Sequence, residues 1–524
     1  MKKVFALVLA LALLVPGFAF AEDDFSGTIT ISLYASTGVQ EAWEAVGAAY
    51  EALHPGVDVV VDLKPSEGYE NWVKAMFQSW DTEVPEADLV FINLAGSDAN
   101  DKVINFYDYA YDINPYTDDE WQAGIAFDMQ QIDQVNGSWT ALCVSGTQVL
   151  WFYNADIFEE VGVEPPTTWD EFVAVCEKIA AAGYQPLAVA GDFNSFWSGQ
   201  MGWLAQIYVD QTTRSQIEIV RAQPGDYCYD EEIDGAFVYD PTDPWNDDTS
   251  KVTNNGVRFY KAFKEGEIVA GSQGQQDVWT NMAKLFPQYA GGDAFFGTDG
   301  NGAKTLFYQG KAAIWLDGSW FFGDYLNTMD AVAAGESVEL DDETTIEGVQ
   351  EFGLGTFSMP SMEGDSFEAP ARTIEVATGF LGAVKKDVEH DDMVVDFLMY
   401  YSSPEGFAIY TDALIENGGR PDGIPLVNGV ELEGELADMF SNITYIGNVQ
   451  KGWGPALARG IGDNQEALRA WYTYTMDFLN GNITIEEWAE KHNENQLRYL
   501  PDVMAASEIS DADLENPQNE PTGN

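Results

Sequence analysis

"TITISLYASTGVQEAWEAVGAAYEALHPGVDVVVDL", residues 28–63, decides the fold class. Apolar and polar residues alternate over Thr28–Leu33, which predicts a strand. After the loop Tyr34–Gly38, apolar residues recur at helical spacing over Val39–Leu53 and predict a helix with one buried stripe. "HPG" ends that helix, and alternation resumes over Val57–Leu63. Strand, helix and strand in this order predict a βαβ unit in a mostly parallel sheet.

The pattern continues along the chain. Tyr69–Trp80 is predicted to be a second helix and Ala87–Ile92 a third strand. Thr168 followed by Glu171 forms a capping box, which marks the start of a later helix. Another capping box begins at Thr484. We therefore expect an α/β protein.

The length and the first residues predict an exported protein with more than one domain. A chain of 524 residues is too long for a single hydrophobic core. Residues 1–21 combine Lys2 and Lys3 with the apolar run Val4–Val15 and a small-residue cleavage site, which predicts a secretory signal peptide removed after Ala21. No cysteine follows that site, so we expect a periplasmic or extracellular protein without a bacterial lipid anchor.

Acidic residues dominate the charge. The net charge is −63 at pH 7, which repels nucleic acid and anionic lipid surfaces. We therefore expect no nucleic-acid partner. The simplest interpretation is a solvated acidic surface that maintains solubility. The alternatives are adaptation to salt and a cationic partner.

Nothing in the sequence predicts a metal or another cofactor. Cys143 and Cys176 fall in apolar patterns and are predicted to be core thiols, whereas Cys228 falls in a polar loop; the three allow one disulfide. The histidines lack zinc-site spacing: His54, His390 and His492. The Asp-rich stretch 210–250 reads as a surface insertion and lacks the EF-hand pattern of a calcium loop. We expect residues 507–524 to be a polar, frayed tail.

Three loops follow predicted strands, where ligands bind in open α/β sheets: Tyr34–Gly38, Asn93–Ser97 and Asp317–Trp320. Their hydroxyls, amides and aromatics suit a neutral, polyhydroxylated ligand. Trp43 and Trp169 are predicted to be core residues because each falls on a helix stripe or first turn. Three other tryptophans lie among Gly, Ser or Asn and are candidate ligand contacts, with burial in the core as the alternative: Trp197, Trp320 and Trp453.

Enzyme signatures such as G-x-S-x-G and Walker A are missing. With 87 acidic residues, a glycosidase pair of carboxylates cannot be identified from sequence. Asp317 could start a turn, accept a hydrogen bond from a ligand hydroxyl, or act as a general acid.

Four motifs, in order, resemble those of bacterial extracellular sugar-binding proteins. "YNADIFEEVGVEPPTTWDEF" lies within Thr147–Gly191, and "GKAAIWLDGSW" within Phe307–Tyr325. A Gly-rich strand followed by a helix ending in "SPE" lies within Thr378–Tyr410, and "GNITIEE" within Phe478–Gln496. The chain is similar to the family of binding proteins that includes maltose-binding protein, which serve ABC importers.

The resemblance implies two α/β lobes that close on a ligand by hinge motion. The first lobe would comprise 22–145 and 357–415, and the second 146–356 and 416–506. Trp320 would stack on a sugar, with Asp317 as a hydroxyl acceptor. Further implied contacts from both lobes are Phe196, Trp197, Trp453, Ser36, Thr37, Asn93, Ser97, Arg372 and Glu375.

The expected function is capture of a carbohydrate, most simply an oligosaccharide, by a monomer that delivers it to the transmembrane permease subunits of an ABC importer. Insertions such as 210–250 leave the ligand size open. The alternatives are a sugar-sensing receptor domain, a secreted carbohydrate-active enzyme, and, given the acidic charge, a receptor for a polyamine or peptide.

Overall fold

The computed structural model describes residues 25–79, 85–96, 99, 101–130, 132, 137–248, 251–340, 344–451 and 453–523. The predicted signal peptide and Ser97 lie outside the described residues. Across the described residues, no helix combines the length and apolar character needed to cross a membrane.

The described residues form both strands and helices. The strands, β1 to β14 in order, are Gly27–Ile31, Val57–Val61, Leu89–Phe91, Ile113–Asn114, Asp119–Glu120, Ser145–Asn154, Gln185–Ala188, Ala312–Gly318, Val338–Glu339, Thr345–Ile346, Leu354–Phe357, Glu375–Thr378, Leu381–Ala383 and Ile424–Pro425. The helices, α1 to α16 in order, are Val39–Leu53, Tyr69–Gln78, Ala155–Val161, Trp169–Ala181, Phe193–Ser198, Gln200–Asp210, Ile217–Val220, Gly256–Glu265, Gln273–Met282, Gly300–Tyr308, Phe321–Ala334, Val388–Tyr401, Pro404–Glu416, Gly434–Ser441, Gln465–Leu479 and Ile485–Ala506.

The first sheet has the order β13-β3-β1-β2. β1 pairs in parallel with both β2 and β3, as the opening stretch predicts, and β13 returns antiparallel to β3. Helix α1 buries its predicted stripe, including Trp43, Val46 and Tyr50, in a core shared with α12 and α13. This arrangement places the carboxyl ends of β1 and β3 at one edge of the sheet.

The second sheet is mixed, so the prediction of a mostly parallel sheet is wrong for this part of the chain. Its order is β11-β6-β8-β7, and only β7 and β8 run parallel within it. The long strand β6 enters from the first sheet and runs opposite to β8, which makes the centre antiparallel. Phe307 and Tyr308 end α10, and the strand that leads to the loop Asp317–Trp320 starts at Ala312.

Two strands, β12 and β14, pair with the start of β6, where the chain passes between the two sheets. Strand β12 pairs with residues 145–148 of β6, and β14 pairs with residues 145–146. Residues 357–374 contribute Phe357, Met359 and Ile374 to the core of the second sheet, whereas β13 belongs to the first. From this packing we propose that the chain returns to the first lobe between Thr378 and Leu381. The other lobe limits given above remain predictions.

The acidic insertion and the chain end pack together. Ile217, Val220 and Val257 share an apolar core with Ile509 and Leu514, both of which are buried. The Lys261 ammonium donates to the Leu514 carbonyl at 3.0 Å. The expectation of a frayed tail is therefore wrong, because apolar residues among the polar ones anchor it.

The predicted core residues and helix caps are confirmed. Cys143 and Cys176 are buried free thiols, and Cys228 is free and partly buried. Trp43 and Trp169 are each 2% exposed. Both predicted capping boxes form, at the starts of α4 and α16.

Candidate functional site

A cavity of about 330 Å³ opens at the carboxyl ends of β1 and β3, beside the crossing segments. The loop Tyr34–Gly38 and residues 91–94 form one side of it. Ser145, at the start of β6, and residues 378–381, between β12 and β13, form the floor. The turn 420–422, which precedes β14, closes it. Below, "the cavity" means this space.

Aromatic rings form much of the cavity wall. Tyr34 is 38% exposed, and its ring centroid lies 4.7 Å from that of Phe91. Beneath them, Trp43 packs against Tyr401 at 4.5 Å and Tyr410 at 5.1 Å. The buried rings fix the wall, while Tyr34 and Phe91 present partly exposed faces that can cover the C–H face of a ligand ring.

The floor has a constrained backbone. Phe380 adopts a positive φ of 41°, and Gly379 before it has a φ of 113°. A non-glycine residue in this region costs roughly 1 kcal/mol or more and occurs mainly where the surrounding structure holds it. Here the Phe380 carbonyl accepts a hydrogen bond from the Ile92 amide at 3.0 Å. That bond ties the crossing segment to the loop that carries Asn93.

Asp422 supplies the negative charge of the cavity. No hydrogen bond or ion pair reaches its carboxylate from the residues that the structure describes. The side chain is exposed, and its pKa is raised by the loss of hydration next to the surrounding protein atoms and, to a smaller extent, by the nearby charge of Asp324. Asp422 in turn contributes, after burial, to the raised pKa of Tyr34 and of Tyr410, which places the carboxylate close to the aromatic wall.

Arg420 is the other charged residue that lines the cavity. Its guanidinium donates to the Gly419 carbonyl at 3.1 Å and to Asp330 on α11 at 3.2 Å. The two charges thus have different roles, because Arg420 is engaged by protein groups and Asp422 is not.

Three polar residues predicted from sequence meet at this cavity. Ser36, Thr37 and Asn93 line it and are exposed. Their side chains make no hydrogen bond within the described part of the chain, so they are available to a ligand. They come together because β1 and β3 are adjacent parallel strands that end at the same edge.

Trp320 lies on the second lobe, at the carboxyl end of β8. Ser319 joins this end to β6, since its amide donates to the Gln148 carbonyl at 2.8 Å. Gln148 is three residues, about 10 Å of strand, from the cavity residue Ser145. The Trp320 ring is partly exposed and packs edge-on against Trp203 at 6.2 Å. A Cβ at Gly318 would lie 2.2 Å from the Trp320 ring, which explains the glycine in "DGSW".

Asp317 points into the protein. The Trp315 indole and the Gly318 amide donate to its carboxylate at 3.1 and 2.9 Å. Burial raises its pKa to about 6, and the charge of Lys304 opposes that rise. The hydrogen bonds to the Asp317 carboxylate thus come from residues of its own strand, β8.

The two aromatics before α6 differ in exposure. Phe196 is fully buried against Trp471 and Tyr472. Trp197 is partly exposed, lies 5.7 Å from the Arg459 guanidinium, and has a buried indole N–H without an acceptor among the described residues. Phe196 is therefore not among the residues for which we propose ligand contact.

The remaining predicted residues lie away from the cavity. Trp453 packs against Phe259 at 4.6 Å. Arg372 is 1% exposed and paired with Asp210 at 2.5 Å and with Asp247. Burial lowers the pKa of Arg372, but these two carboxylates raise it above its usual range.

Glu375 has a similar structural setting. It is buried and accepts a hydrogen bond from the Gly447 amide at 2.9 Å. Arg372, just before β12, and Glu375, its first residue, thus join this part of the chain to neighbouring parts of the second lobe.

Sequence reasoning missed Tyr34, Phe91 and Asp422 as individual wall residues. Tyr34 and Phe91 had a usable signal, because each stands at the end of a predicted strand. Asp422 follows the turn-forming "NGGRP" but carries no signal of the strand that it precedes. No group of three or more His, Cys, Asp or Glu in the described ranges is placed to hold a metal ion.

Comparison with known proteins identifies the family. A family model described as bacterial extracellular solute-binding protein matches residues 34–337, more than half of the chain. The probable sugar-binding periplasmic protein of Mesorhizobium japonicum is 33% identical over 208 residues, which cover 39% of this chain and 38% of that protein. A protein of the same description from Brucella suis biovar 1 is 24% identical over 212 residues, with the same coverage. The chain thus matches well under half the length of these curated relatives.

Solved structures show the same two-lobed α/β fold. The cyclic α-maltosyl-1,6-maltose binding protein of Arthrobacter globiformis superposes with a TM-score of 0.56 at 15% identity, over 91% of this chain and 100% of that one. A family 1 extracellular solute-binding protein from Bifidobacterium longum subsp. infantis also gives 0.56, at 13% identity over 90% and 100%. With the family match across residues 34–337, the chain belongs to the bacterial extracellular solute-binding proteins.

Proposed function

We propose that this protein captures a carbohydrate in the cavity and delivers it to the permease subunits of an ABC importer. The observation that carries the proposal is the combination of partly exposed aromatic faces with uncommitted hydroxyl, amide and carboxylate groups around one space. Aromatic faces cover the apolar side of a sugar ring, and the polar groups exchange hydrogen bonds with its hydroxyls. The curated relatives named as probable sugar-binding proteins support it.

The charge of the cavity favours a neutral ligand over a polyamine. Despite the net charge of −63, the charged residues that line the cavity are one acid, Asp422, and one base, Arg420. A polyamine needs several carboxylates spaced along its length, whereas a neutral sugar needs mixed donors and acceptors. The acidic surface is therefore a poor guide to the ligand.

We assign ligand contact to residues on both lobes. Tyr34 and Phe91 would cover a ring face, and Asp422 would accept hydroxyl hydrogen bonds. Ser36, Thr37 and Asn93 would complete the polar side. Trp320 would approach from the second lobe on closure, and Trp197 and Ser97 are kept as predictions.

The proposal also covers the location of the protein and its interaction with the permease. Export through the predicted signal peptide would place the protein outside the cytoplasmic membrane. We expect a monomer that binds its ligand without catalysis, needs no cofactor and engages the permease when closed. Incubation with oligosaccharides should release no new reducing ends, and any such release would contradict the non-enzymatic assignment.

Isothermal titration tests the binding proposal directly. The purified mature protein should bind at least one member of a panel of neutral mono- and oligosaccharides and should not bind spermidine or short peptides. Tyr34→Ala should weaken binding about tenfold, because it removes one face of the cavity. Tyr111→Ala, at a 57% exposed tyrosine outside the cavity, is the matched control. Binding to spermidine or peptide but to no sugar would overturn the proposal.

A further inference from the structure

A second space lies between the lobes, next to the cavity. It has a volume of about 290 Å³, close to that of the cavity itself. Below, "the crevice" means this space. It is bounded by Thr37 on one side and by the second half of α10, one face of α11 and residues 337–340 on the other.

Three observations show that the crevice and the cavity are neighbours. Thr37 lines both spaces, so they share one residue of their walls. Asp324 of the crevice contributes to the raised pKa of Asp422 in the cavity, after the loss of hydration. Arg420 of the cavity packs against α11, where a Cβ at Gly323 would lie 3.0 Å from the Arg420 Cβ. A chain-like ligand leaving the cavity past Thr37 would therefore enter the crevice.

The crevice differs from the cavity in its chemistry. Its aromatic residue, Tyr308, is 2% exposed and offers no open face. The accessible groups are polar, among them Asn327, Thr328 and Ser337, whose side chains make no hydrogen bond within the described part of the chain. Such a surface can hold a polyhydroxylated unit by hydrogen bonds but cannot stack on it.

We propose that the crevice is a second subsite, which takes the next polyhydroxylated unit of an oligosaccharide whose first unit stacks in the cavity. This inference rests on the proposed carbohydrate function and adds the length and direction of the ligand. It assigns Asn327 and Thr328 as specificity residues for chain length. The first unit is recognised by stacking and hydrogen bonds, and the second by hydrogen bonds alone.

The test is a titration with two sugar series, glucose to maltotetraose and xylose to xylotetraose. In the parent, affinity should rise by at least tenfold when a unit is added beyond the one that fills the cavity. The double variant Asn327→Ala/Thr328→Ala should lose about tenfold for the longer sugars, the equivalent of one to two hydrogen bonds, and leave the shortest binding sugar unchanged. Asn327→Trp, which fills the crevice, should produce the same selective loss.

Ala333→Ser is the matched control, since it is exposed on the same helix outside the crevice. Thermal unfolding of all variants checks that they fold. Equal affinity for short and long sugars in the parent, or an equal loss for both in the variants, would overturn the second subsite while leaving carbohydrate binding intact. Failure of the parent to bind any sugar in the series or the wider panel would remove the proposed function and the subsite together.

Discussion

Two charged regions near the crossing segments differ in whether their charges have partners. Arg372 is sealed between Asp210 and Asp247, and Asp210 also accepts from Arg214 at 2.6 Å. Asp422 faces the cavity with no hydrogen-bond or ion-pair partner in the described residues. The first region uses its charges to hold the insertion against the second lobe, whereas the second leaves a carboxylate available to the ligand that we propose. The sequence shows that both residues are charged, but only the structure shows which of them has an ion-pair partner.

The largest effect is expected from breaking the sealed region. Arg372→Ala should lower the free energy of unfolding by about 3–5 kcal/mol, because it leaves the buried Asp247 carboxylate without its guanidinium. Urea unfolding at pH 7 measures the loss. Lys251→Ala, which breaks an exposed ion pair with Asp243 on the same insertion, should cost less than about 1 kcal/mol. Similar small losses for both variants would show that the Arg372 pairs are not structural.

A second test concerns the buried, uncharged His492, whose contribution to stability should depend on pH. The Leu457 carbonyl can only accept, so His492 donates from Nε2 and accepts at Nδ1 from the Tyr474 hydroxyl, both at 2.7 Å. Burial lowers the pKa of His492 from 6.5 to about 4. The unfolded chain therefore binds this proton first, so the stability that His492 contributes is present above pH 6.5 and is lost as pH falls towards 4.

The comparison with His492→Gln isolates this group from the many carboxylates. The difference in unfolding free energy between parent and variant should shrink by about 3 kcal/mol from pH 7 to pH 4. Asp317 acts in the opposite direction, since its pKa is raised from 3.8 to about 6 and its contribution falls as pH rises through that window. A difference that stays constant with pH would mean that His492 is not held neutral.

Removing the free charge should affect binding and spare stability. Asp422→Asn keeps the shape but weakens hydrogen bonds to ligand hydroxyls, so sugar affinity should fall about 10- to 100-fold. The thermal midpoint should be unchanged or higher, because no protein group in the described residues depends on this carboxylate. Titration and thermal unfolding of the same preparation give both values. If Asp422→Asn were destabilised but bound sugar with normal affinity, Asp422 would have a structural role and not the proposed role in binding.

The smallest effect is expected at Trp320. Trp320→Ala should weaken sugar binding by about tenfold, because one stacking face on the second lobe is lost. Trp245→Ala, at a 39% exposed tryptophan on the insertion, controls for loss of an indole elsewhere. A folded Trp320→Ala protein that binds as tightly as the parent would remove Trp320 from the site.

Local patterns predicted the helices and caps well, and they predicted some of the residues that line the candidate cavity. The helix Val39–Leu53 and both capping boxes form as expected, because amphipathic spacing and side-chain caps depend on residues a few positions apart. Ser36, Thr37 and Asn93 followed from the rule that ligands bind at strand ends.

Other features depend on contacts that local patterns do not record. The direction of β6 is set by its distant partners β8 and β12, so the mixed sheet was not predictable from alternation alone. Arg372 pairs with Asp210, which lies 162 positions away in the sequence. Because the sequence alone does not reveal this partner, Arg372 was predicted to be a ligand contact. Asp422 is part of the cavity only because β14 pairs with the start of β6.

The anchored carboxyl end has a practical consequence for measurements on a surface. Ile509 and Leu514 are buried against α8, so a tether fused after the tail would pull on the apolar core beneath the insertion. Val238 is 77% exposed, so attachment through a cysteine engineered at this position would not pull on a buried side chain.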